Sequence, residues 1–446
     1  MKFNLLKILL IVTISFSQLS ISFAPSQSKK SNQKSFQENY LKALNERLSA
    51  IILEDQFSAP QATRIYAYPN IAAYEVLVNS DKEHISLVGQ LSGLVYIQKP
   101  DSLKYDWDIA ATVAYISVAN SLVFSQQKWL SASEIILRKV KKNTKDSLSV
   151  KRSMMFGNLI AKHIINWAKE DGYEKRKVFP RYSLLNKKGT WEPTPPDYKE
   201  AIEPNWRTLR PYVLDSAAQF KSDSMTVFSE EKNSDFYKLA MDVYSISKKN
   251  NSQEKDIAIF WDDNPKKSEP LGHLTLFKFR ISPGGHWILI ASQAAKIKKL
   301  SSVNTAEILA LTAIAIYDGT LSCWDEKYRS NRIRPVSFIT KNIDEKWQPF
   351  LQTPYFPEYT SGHSVASMAA AIILTNKIGE KFAFADSSQL EFVDKPRKYK
   401  SFINAANEAG ISRVYGGIHF KDGCKDGLKQ GELIGSFILK RIKTKN

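Results

Sequence analysis

Apolar residues recur at helical spacing along most of this chain, and this periodicity limits what the chain can fold into. Alternation of the kind found in strands is scarce. The helical pattern appears in nine segments: 43–53, 109–124, 153–171, 231–247, 283–299, 306–318, 364–378, 401–410 and 427–443. Segments of this kind bury one apolar stripe against neighbouring helices. The sequence therefore predicts an all-α protein.

A stretch of irregular sequence separates two groups of these helices. Residues 172–215 lack the periodicity and contain six prolines, and proline breaks helices because it has no amide proton. We therefore predict two packed helical bundles joined by a long Pro-rich crossover with short irregular segments. The predicted boundaries are an N-terminal bundle at 38–171, the crossover at 172–230 and a C-terminal bundle at 231–446.

The first residues have the features of a secretory signal. Two lysines precede the apolar run 8–16, and small residues before Phe23 allow cleavage there. The run is too short to cross a bilayer, so we expect no stable membrane span. We predict a signal peptide at 1–22, a disordered lead-in at 23–37 and a secreted or periplasmic protein.

Charge and cysteine content restrict the partners of the protein. The formal net charge is +18, which favours anionic ligands, but the lysines are dispersed and no nucleic-acid motif is present. We therefore expect no nucleic-acid partner. The two cysteines, Cys323 and Cys424, could form a disulfide or remain buried thiols, since the sequence does not give their separation.

A first cluster of candidate site residues lies at 327–335. Lys327 and Arg334 are seven residues apart, so they share a helix face if the helix persists, and Pro335 is expected to end it. An arginine fork and a lysine point charge together suit an oxyanion. The alternative is a solvated basic face, because Arg329 and Arg332 lie in the same stretch.

Two further segments add an anion site and two histidines. Ser361 and Gly362 precede an apolar helix, whose first amides lack partners and can bind an anion, and His363 could move a proton. Arg413 and His419 flank a glycine pair that can return both side chains to one place. Each segment also has a structural interpretation: a serine N-cap, a surface histidine or a core histidine.

In this order and spacing the three segments resemble a known signature. It is Lys-x6-Arg-Pro, Pro-Ser-Gly-His and Ser-Arg-x5-His, shared by vanadium-dependent haloperoxidases and the type 2 phosphatidic acid phosphatase superfamily. The resemblance covers residues 320–425. Weaker similarity to bacterial iodo- and bromoperoxidases extends upstream through Phe260–Pro265, Pro283–Trp287 and Tyr317–Lys327.

The resemblance implies a cofactor and roles for these residues. Vanadate would take its one protein bond from His419, the metal ligand. His363 would act as acid–base on hydrogen peroxide, and Lys327 would help make the oxidant electrophilic toward halide. Besides these three, the groups implied to hold vanadate are Arg334, Ser361, the Gly362 amide and Arg413.

Two positions depart from the signature. Thr360 replaces the usual proline, which should change the rigidity of the loop more than its chemistry. Gly423 replaces the usual aspartate that orients the metal-bound imidazole. Asp422 could reach His419 through an altered turn, or a backbone carbonyl could substitute for it.

The signature alone does not separate two activities. Trp324 and Phe356 occupy positions that line an apolar halide pocket in haloperoxidases, although both could be ordinary core aromatics. With them we favour a haloperoxidase that uses hydrogen peroxide to oxidise halide to hypohalous acid. Iodide is the favoured halide and bromide the alternative, because some bromide-oxidising relatives have histidine at the position of Phe356. The alternatives are a secreted acid phosphatase with a phospho-His419 intermediate, and a non-catalytic oxyanion-binding protein in which His363 is idle.

Overall fold

The computed structural model describes residues 40–222, 225–271 and 274–446. The signal peptide and the lead-in predicted at 1–37 lie outside the described residues and stay predictions. Helices dominate the part of the chain that is described, so the all-α prediction is confirmed. The boundaries predicted for the two bundles and the crossover stay predictions.

The described ranges contain thirteen α-helices. They are α1 (Tyr40–Glu54), α2 (Ala59–Leu77), α3 (Trp107–Asn120), α4 (Gln126–Lys141), α5 (Ser147–Lys169), α6 (Asp235–Lys249), α7 (Ser252–Phe260), α8 (Pro283–Ile297), α9 (Ser302–Ser330), α10 (Pro335–Asn342), α11 (Gly362–Ile378), α12 (Phe402–Tyr415) and α13 (Lys421–Arg441). Three short 3₁₀ helices are also present in these ranges, at Val78–Ser80, Lys175–Val178 and Trp206–Thr208. Two short antiparallel hairpins are β1 (Lys267–Leu271) with β2 (Leu274–Lys278), and β3 (Phe384–Asp386) with β4 (Arg397–Tyr399).

Helix α9 is the central element of the packing. It contacts both α2 and α11. One core cluster contains residues from both ends of the described part of the chain, from Tyr40 to Ile442. Among the described residues it alone has the length and apolar composition to cross a membrane, yet that apolar stretch is wholly buried inside the protein. A helix that is apolar on all sides fits this position at the centre of a large core.

The irregular crossover is fixed against α9 by hydrogen bonds. The buried carboxylate of Asp318 accepts the backbone amides of residues 212–214 at 2.8 to 3.1 Å. The carbonyl of Ile202 accepts the Trp324 indole at 3.2 Å and the Tyr328 hydroxyl at 2.6 Å. These bonds satisfy buried polar groups of a loop without regular structure. They also bring the crossover next to Lys327.

Close packing of the last helix on α11 depends on glycines. Gly427, Gly431 and Gly435 recur every four residues and so share one face of α13. A methyl group on Gly427 would lie 2.9 Å from the Ser361 carbonyl oxygen, and one on Gly431 would overlap the Val365 carbonyl oxygen. The absence of side chains on this face therefore lets α13 press directly on the helix that begins at Ser361.

We predict that Gly431→Ala lowers the free energy of unfolding by about 1–3 kcal/mol, because the added methyl overpacks the contact with α11. Gly319→Ala in α9 is the matched control. Its methyl would meet Val365 at an ordinary 3.4 Å, so the better helix propensity of alanine should make it neutral or stabilising by about 1 kcal/mol. Urea unfolding of both variants measures the difference, and equal midpoints would contradict the packing argument.

Candidate active site

Lys327 lies in the last turn of α9 and is fully buried. Its Nζ donates to the carbonyls of Pro357 and Glu358, both at 3.1 Å, and of Thr360 at 2.5 Å. Burial lowers the pKa of Lys327 to about 8. The ammonium group therefore organises the segment that leads into α11 and remains a cation at neutral pH.

Arg334 reaches the same region from a different element. Helix α9 ends at Ser330, and Arg334, with extended backbone (φ −83°, ψ 154°), is the N-cap of α10. The prediction that Lys327 and Arg334 share a helix face is therefore wrong: proline here begins the next helix. The guanidinium of Arg334 donates from Nε to the Phe356 carbonyl at 2.8 Å and from Nη1 to the Ile418 carbonyl at 2.9 Å.

The second predicted segment forms the start of α11. Ser361 is the N-cap, and its hydroxyl accepts the Ser364 amide at 3.3 Å. Gly362 faces Lys327 and Trp324: a methyl group on it would lie 3.5 Å from the Trp324 ring and 4.0 Å from Lys327 Cε. The N-terminus of α11, where the first amides of a helix lack intrahelical partners, therefore lies beside Lys327.

His363 and Arg413 lie on adjacent helices beside the same cavity. His363 Nε2 is 3.8 Å from an oxygen of Asp263 and has no hydrogen-bond partner among the described residues. Burial lowers the pKa of His363 well below its usual range, and the charge of Arg413 lowers it further. The Arg413 guanidinium is buried and donates to the Trp261 carbonyl.

His419 follows the predicted glycine turn, in which Gly417 has φ +75°. Its Nδ1 lies 2.7 Å from Glu358 Oε1, and its Nε2 lies 3.1 Å from Arg334 Nη1. Arginine can only donate, so Nε2 is the acceptor and the proton sits on Nδ1. Burial, and then the charge of Arg334, lowers the pKa of His419 well below its usual range. A neutral imidazole thus directs its lone pair toward the cations.

Glu358, which the sequence reasoning did not single out, supplies the carboxylate behind His419. Asp422 instead forms a bidentate ion pair with Arg332 at 2.6 and 2.9 Å, so neither expected route, through Asp422 or a backbone carbonyl, is the one observed. Arg332 is buried and also lies 3.2 Å from Glu358 Oε2. The solvated face considered for Arg332 is therefore wrong.

The glycine that departs from the signature explains how this carboxylate fits. A methyl group on Gly423 would lie 2.5 Å from Glu358 Oε1. Any side chain at 423 would displace Glu358 from His419. Glu358 thus takes the place of the missing aspartate, and the glycine at 423 leaves room for it. The contact between Glu358 and Gly423 could not be seen before the fold was known, because the two residues are far apart in the sequence.

The two predicted aromatic residues do lie beside the cations. The Trp324 and Phe356 rings are 5.0 Å apart. The Phe356 ring lies between Lys327 Nζ at 4.8 Å and Arg334 Cζ at 4.9 Å. Both aromatics line a cavity of about 290 Å³.

The cavity reaches well beyond the predicted motifs. His363, Arg413 and His419 line it. The rest of its wall includes residues from the loop between α1 and α2, the start of α2, the crossover and the loop after α7: Phe57, Pro60, Lys199, Ile202, Asp263 and Pro265. No short motif marks most of these positions, although the segment Phe260–Pro265 carried part of the weaker resemblance.

Both cysteines are buried free thiols. The Cys323 thiol faces the Thr360 carbonyl at 3.4 Å, and Cys424 shares a hydrogen bond with Ser361. The disulfide considered from the sequence is not formed. The two thiols instead pack against neighbouring residues of one segment, Cys323 against Thr360 and Cys424 against Ser361.

Comparison with known proteins places the chain in a family. A family model described as the VCPO second helical-bundle domain matches residues 307–445. A crystal structure described as the first bacterial vanadium-dependent iodoperoxidase superposes with a TM-score of 0.86 at 39% identity, over 92% of this chain and 97% of that one. This chain belongs to the vanadium-dependent haloperoxidases. A search of curated proteins finds no match.

Two further structures share the fold of this haloperoxidase. They are the holo and apo forms of a bacterial vanadium-dependent chloroperoxidase, with TM-scores of 0.63 and 0.61 and identities of 17% and 16%. The alignments cover 87% and 85% of this haloperoxidase chain and 93% of each chloroperoxidase chain.

The buried cations of this haloperoxidase are suited to vanadate. Within the described residues, neither Lys327, Arg334 nor Arg413 has a carboxylate oxygen within 4.0 Å, and Arg334 Nη2 and Arg413 Nε lack hydrogen-bond partners. Burying charged donors without partners is costly. A tetrahedral oxyanion would satisfy both donors and balance the charge. The described residues contain no cluster of three His, Cys, Asp or Glu side chains suited to a metal cation.

We predict that Glu358→Ala weakens vanadate binding by about 10- to 100-fold, because His419 loses the carboxylate that fixes its tautomer. Gly423→Asp alone should also weaken binding and destabilise the fold, since the two carboxylates would collide. The double variant Glu358→Ala/Gly423→Asp should bind better than either single variant, because the aspartate can then occupy the vacated space.

Titration of the metal-free protein with vanadate, with urea unfolding of each variant, measures this coupling. Strictly additive losses in the double variant would show that Gly423 and Glu358 act independently. Lys425→Ala, an exposed change on α13, is the control for the helix that carries Gly423.

Proposed function

We propose that this enzyme oxidises iodide with hydrogen peroxide, using vanadate bound at His419. The observation that carries the proposal is a neutral imidazole whose Nε2 lone pair faces buried cations that form no direct ion pair with a carboxylate of the described residues. The 39% identity to an iodoperoxidase supports the choice of halide. Iodide, hydrogen peroxide and a proton would give hypoiodous acid and water: the O–O bond breaks, iodide loses two electrons and peroxide gains them.

The residues that would hold vanadate divide into two roles. His419 Nε2 would supply the one bond to vanadium, with Glu358 fixing the proton on Nδ1. The oxygens would be held by the side chains and the amide around it: Lys327, Arg334, Ser361, Gly362 and Arg413. When bound, vanadate supplies a Lewis-acidic centre that activates hydrogen peroxide.

His363 is the acid–base group in this proposal. Its depressed pKa leaves the imidazole neutral at physiological pH, so it can accept a proton from hydrogen peroxide. Asp263, 3.8 Å away, would stabilise the imidazolium that results. Lys327 and Arg334 would stabilise the negative charge that remains on oxygen.

The halide would bind beside the aromatic side chains that line the cavity. Trp324 and Phe356 offer apolar surface beside the cations, which suits a large, weakly hydrated anion such as iodide. The same wall gives no hydrogen bond to a phosphate monoester, so it favours the haloperoxidase over the phosphatase interpretation.

We expect protein reconstituted with vanadate to oxidise iodide in the presence of hydrogen peroxide, and His363→Ala to lower kcat by about 10²- to 10⁴-fold while vanadate still binds. His163→Ala, on α5 outside the cavity lining, is the control. Triiodide absorbance measures turnover, and p-nitrophenyl phosphate tests the metal-free form. Phosphate-ester hydrolysis without halide oxidation would support the phosphatase, and unchanged turnover in His363→Ala would remove His363 from the mechanism.

We also expect Phe356→His to raise the ratio of bromide to iodide kcat/KM by about tenfold, because an imidazole can donate a hydrogen bond to the more strongly hydrated bromide. Phe350→His, at an exposed position, is the matched control. The ratio is measured with both halides at saturating peroxide. A ratio that stays at the wild-type value would mean that Phe356 does not contact the halide.

A further inference from the structure

A buried histidine on α8 lies behind the candidate acid–base residue. His286 is fully buried, and each of its ring nitrogens faces a carboxylate. Nδ1 is 3.0 Å from both oxygens of Asp263, and Nε2 is 2.8 Å from Asp386 Oδ2. Carboxylates accept hydrogen bonds, so both nitrogens carry protons and the ring is an imidazolium.

The electrostatics agree with this geometry. Burial by itself would lower the pKa of His286, but the charges and hydrogen bonds of Asp263 and Asp386 raise it to about 10. The ring also stacks on Trp261, with centroids 4.5 Å apart and planes 28° from parallel. His286 is therefore a fixed, permanently charged group across the physiological pH range.

The carboxylate that His286 holds is the one that faces His363. Asp263 Oδ2 lies 3.8 Å from His363 Nε2, and Gln389 Nε2 donates to Asp263 Oδ1 at 3.2 Å. The backbone of Asp263 is in the left-handed region, with φ +36°, where residues other than glycine are uncommon. Contacts with the side chain thus hold a backbone conformation that directs this carboxylate at the cavity.

Asp386, the second carboxylate that faces His286, is also held in place by hydrogen bonds. Asp386, in β3, accepts from the amide and hydroxyl of Ser388 at 2.9 and 2.6 Å through the oxygen that does not bind His286. The result is a continuous line of alternating groups, His363–Asp263–His286–Asp386, that runs from the cavity into the core. Other charged groups near this line are Asp262, Arg280 and Arg413.

We propose that His286 is a positioning residue for the acid–base step: clamped by Asp386, it fixes Asp263 opposite His363. The proposal rests on the proposed role of His363. Asp263 attracts a proton to His363, and the fixed charge of His286 opposes that attraction. His286 thereby adds to burial and to the charge of Arg413 in keeping His363 neutral until hydrogen peroxide delivers a proton. Asp263 remains in place to stabilise the product imidazolium.

The first test uses the metal-free protein and needs no turnover. The chain has six histidines, so ¹⁵N-imidazole NMR of histidine-labelled protein resolves them, with His→Gln variants for assignment. We expect His286 to remain doubly protonated from pH 6 to 9 and His363 to remain neutral. A neutral His286 ring at pH 8 would overturn the proposal, whether or not the enzyme oxidises halide.

The second test compares two buried histidines that each face two carboxylates. In His286→Gln the positive charge that opposes protonation of His363 is removed, so we expect His363 to protonate at higher pH in the NMR titration. The acid limb of kcat/KM for peroxide should also move to higher pH. We expect kcat to fall about tenfold while the affinity for vanadate changes little. His84→Gln is the control, because His84 faces Asp81 at 2.9 Å and Glu307 at 3.5 Å but does not line the cavity.

A purely structural role for His286 would give both variants the same result: a lower midpoint of unfolding with the wild-type pH profile and unchanged His363 resonances. That outcome would overturn the proposal. If the wild-type enzyme did not oxidise iodide, the proposed function would be contradicted. The shift of the His363 resonance in His286→Gln could still be measured, so the two proposals can fail separately.

Discussion

The rest of the site depends on one constraint: three cations are buried, and none of them forms a direct ion pair with a carboxylate of the described residues. Lys327, Arg334 and Arg413 are almost wholly removed from water, where an unpaired charge is expensive. Backbone carbonyls offset part of this cost: each cation donates to at least one. Arg334 Nη2 and Arg413 Nε still lack partners among the described residues, so the cavity suits an anion. Burial, and then the charge of the cations, also lowers the pKa of both site histidines and keeps them neutral.

The carboxylate behind His419 comes from a different place in the sequence than the signature predicts, yet it makes the contact with the imidazole that the aspartate was expected to make. Glu358 precedes the anion-binding turn, whereas the usual aspartate follows the histidine. Gly423 leaves the space that the longer glutamate side chain occupies, and Arg332 and Asp422 complete a buried ion-pair network around it. A buried carboxylate with an arginine partner and a histidine partner is well compensated, so the imidazole it orients is held rigidly.

The two halves of the chain contribute different parts of the site. The C-terminal helices supply the charged groups and the histidines, and the family model that matches residues 307–445 covers them. The α1–α2 loop, the start of α2 and the crossover supply much of the apolar wall of the cavity. The wall of a pocket is where enzymes with one cofactor can differ in substrate. The carboxylate–imidazolium line behind His363 crosses between these parts, since Asp263, His286 and Asp386 come from three separate segments.

The sequence alone determined the helical class, because apolar periodicity is a local pattern. It pointed to the cations and histidines of the site through three short segments, each of which also has a structural interpretation, and through the resemblance of their order and spacing to the haloperoxidase signature. It also pointed to Trp324 and Phe356. The sequence did not show that Lys327 and Arg334 belong to different elements, or that Glu358 contacts His419 in place of Asp422. It also did not show that His286 lies between Asp263 and Asp386 behind His363. Each of these depends on distances between residues far apart in the chain, and such distances are set by how helices pack, down to the space left by single glycines.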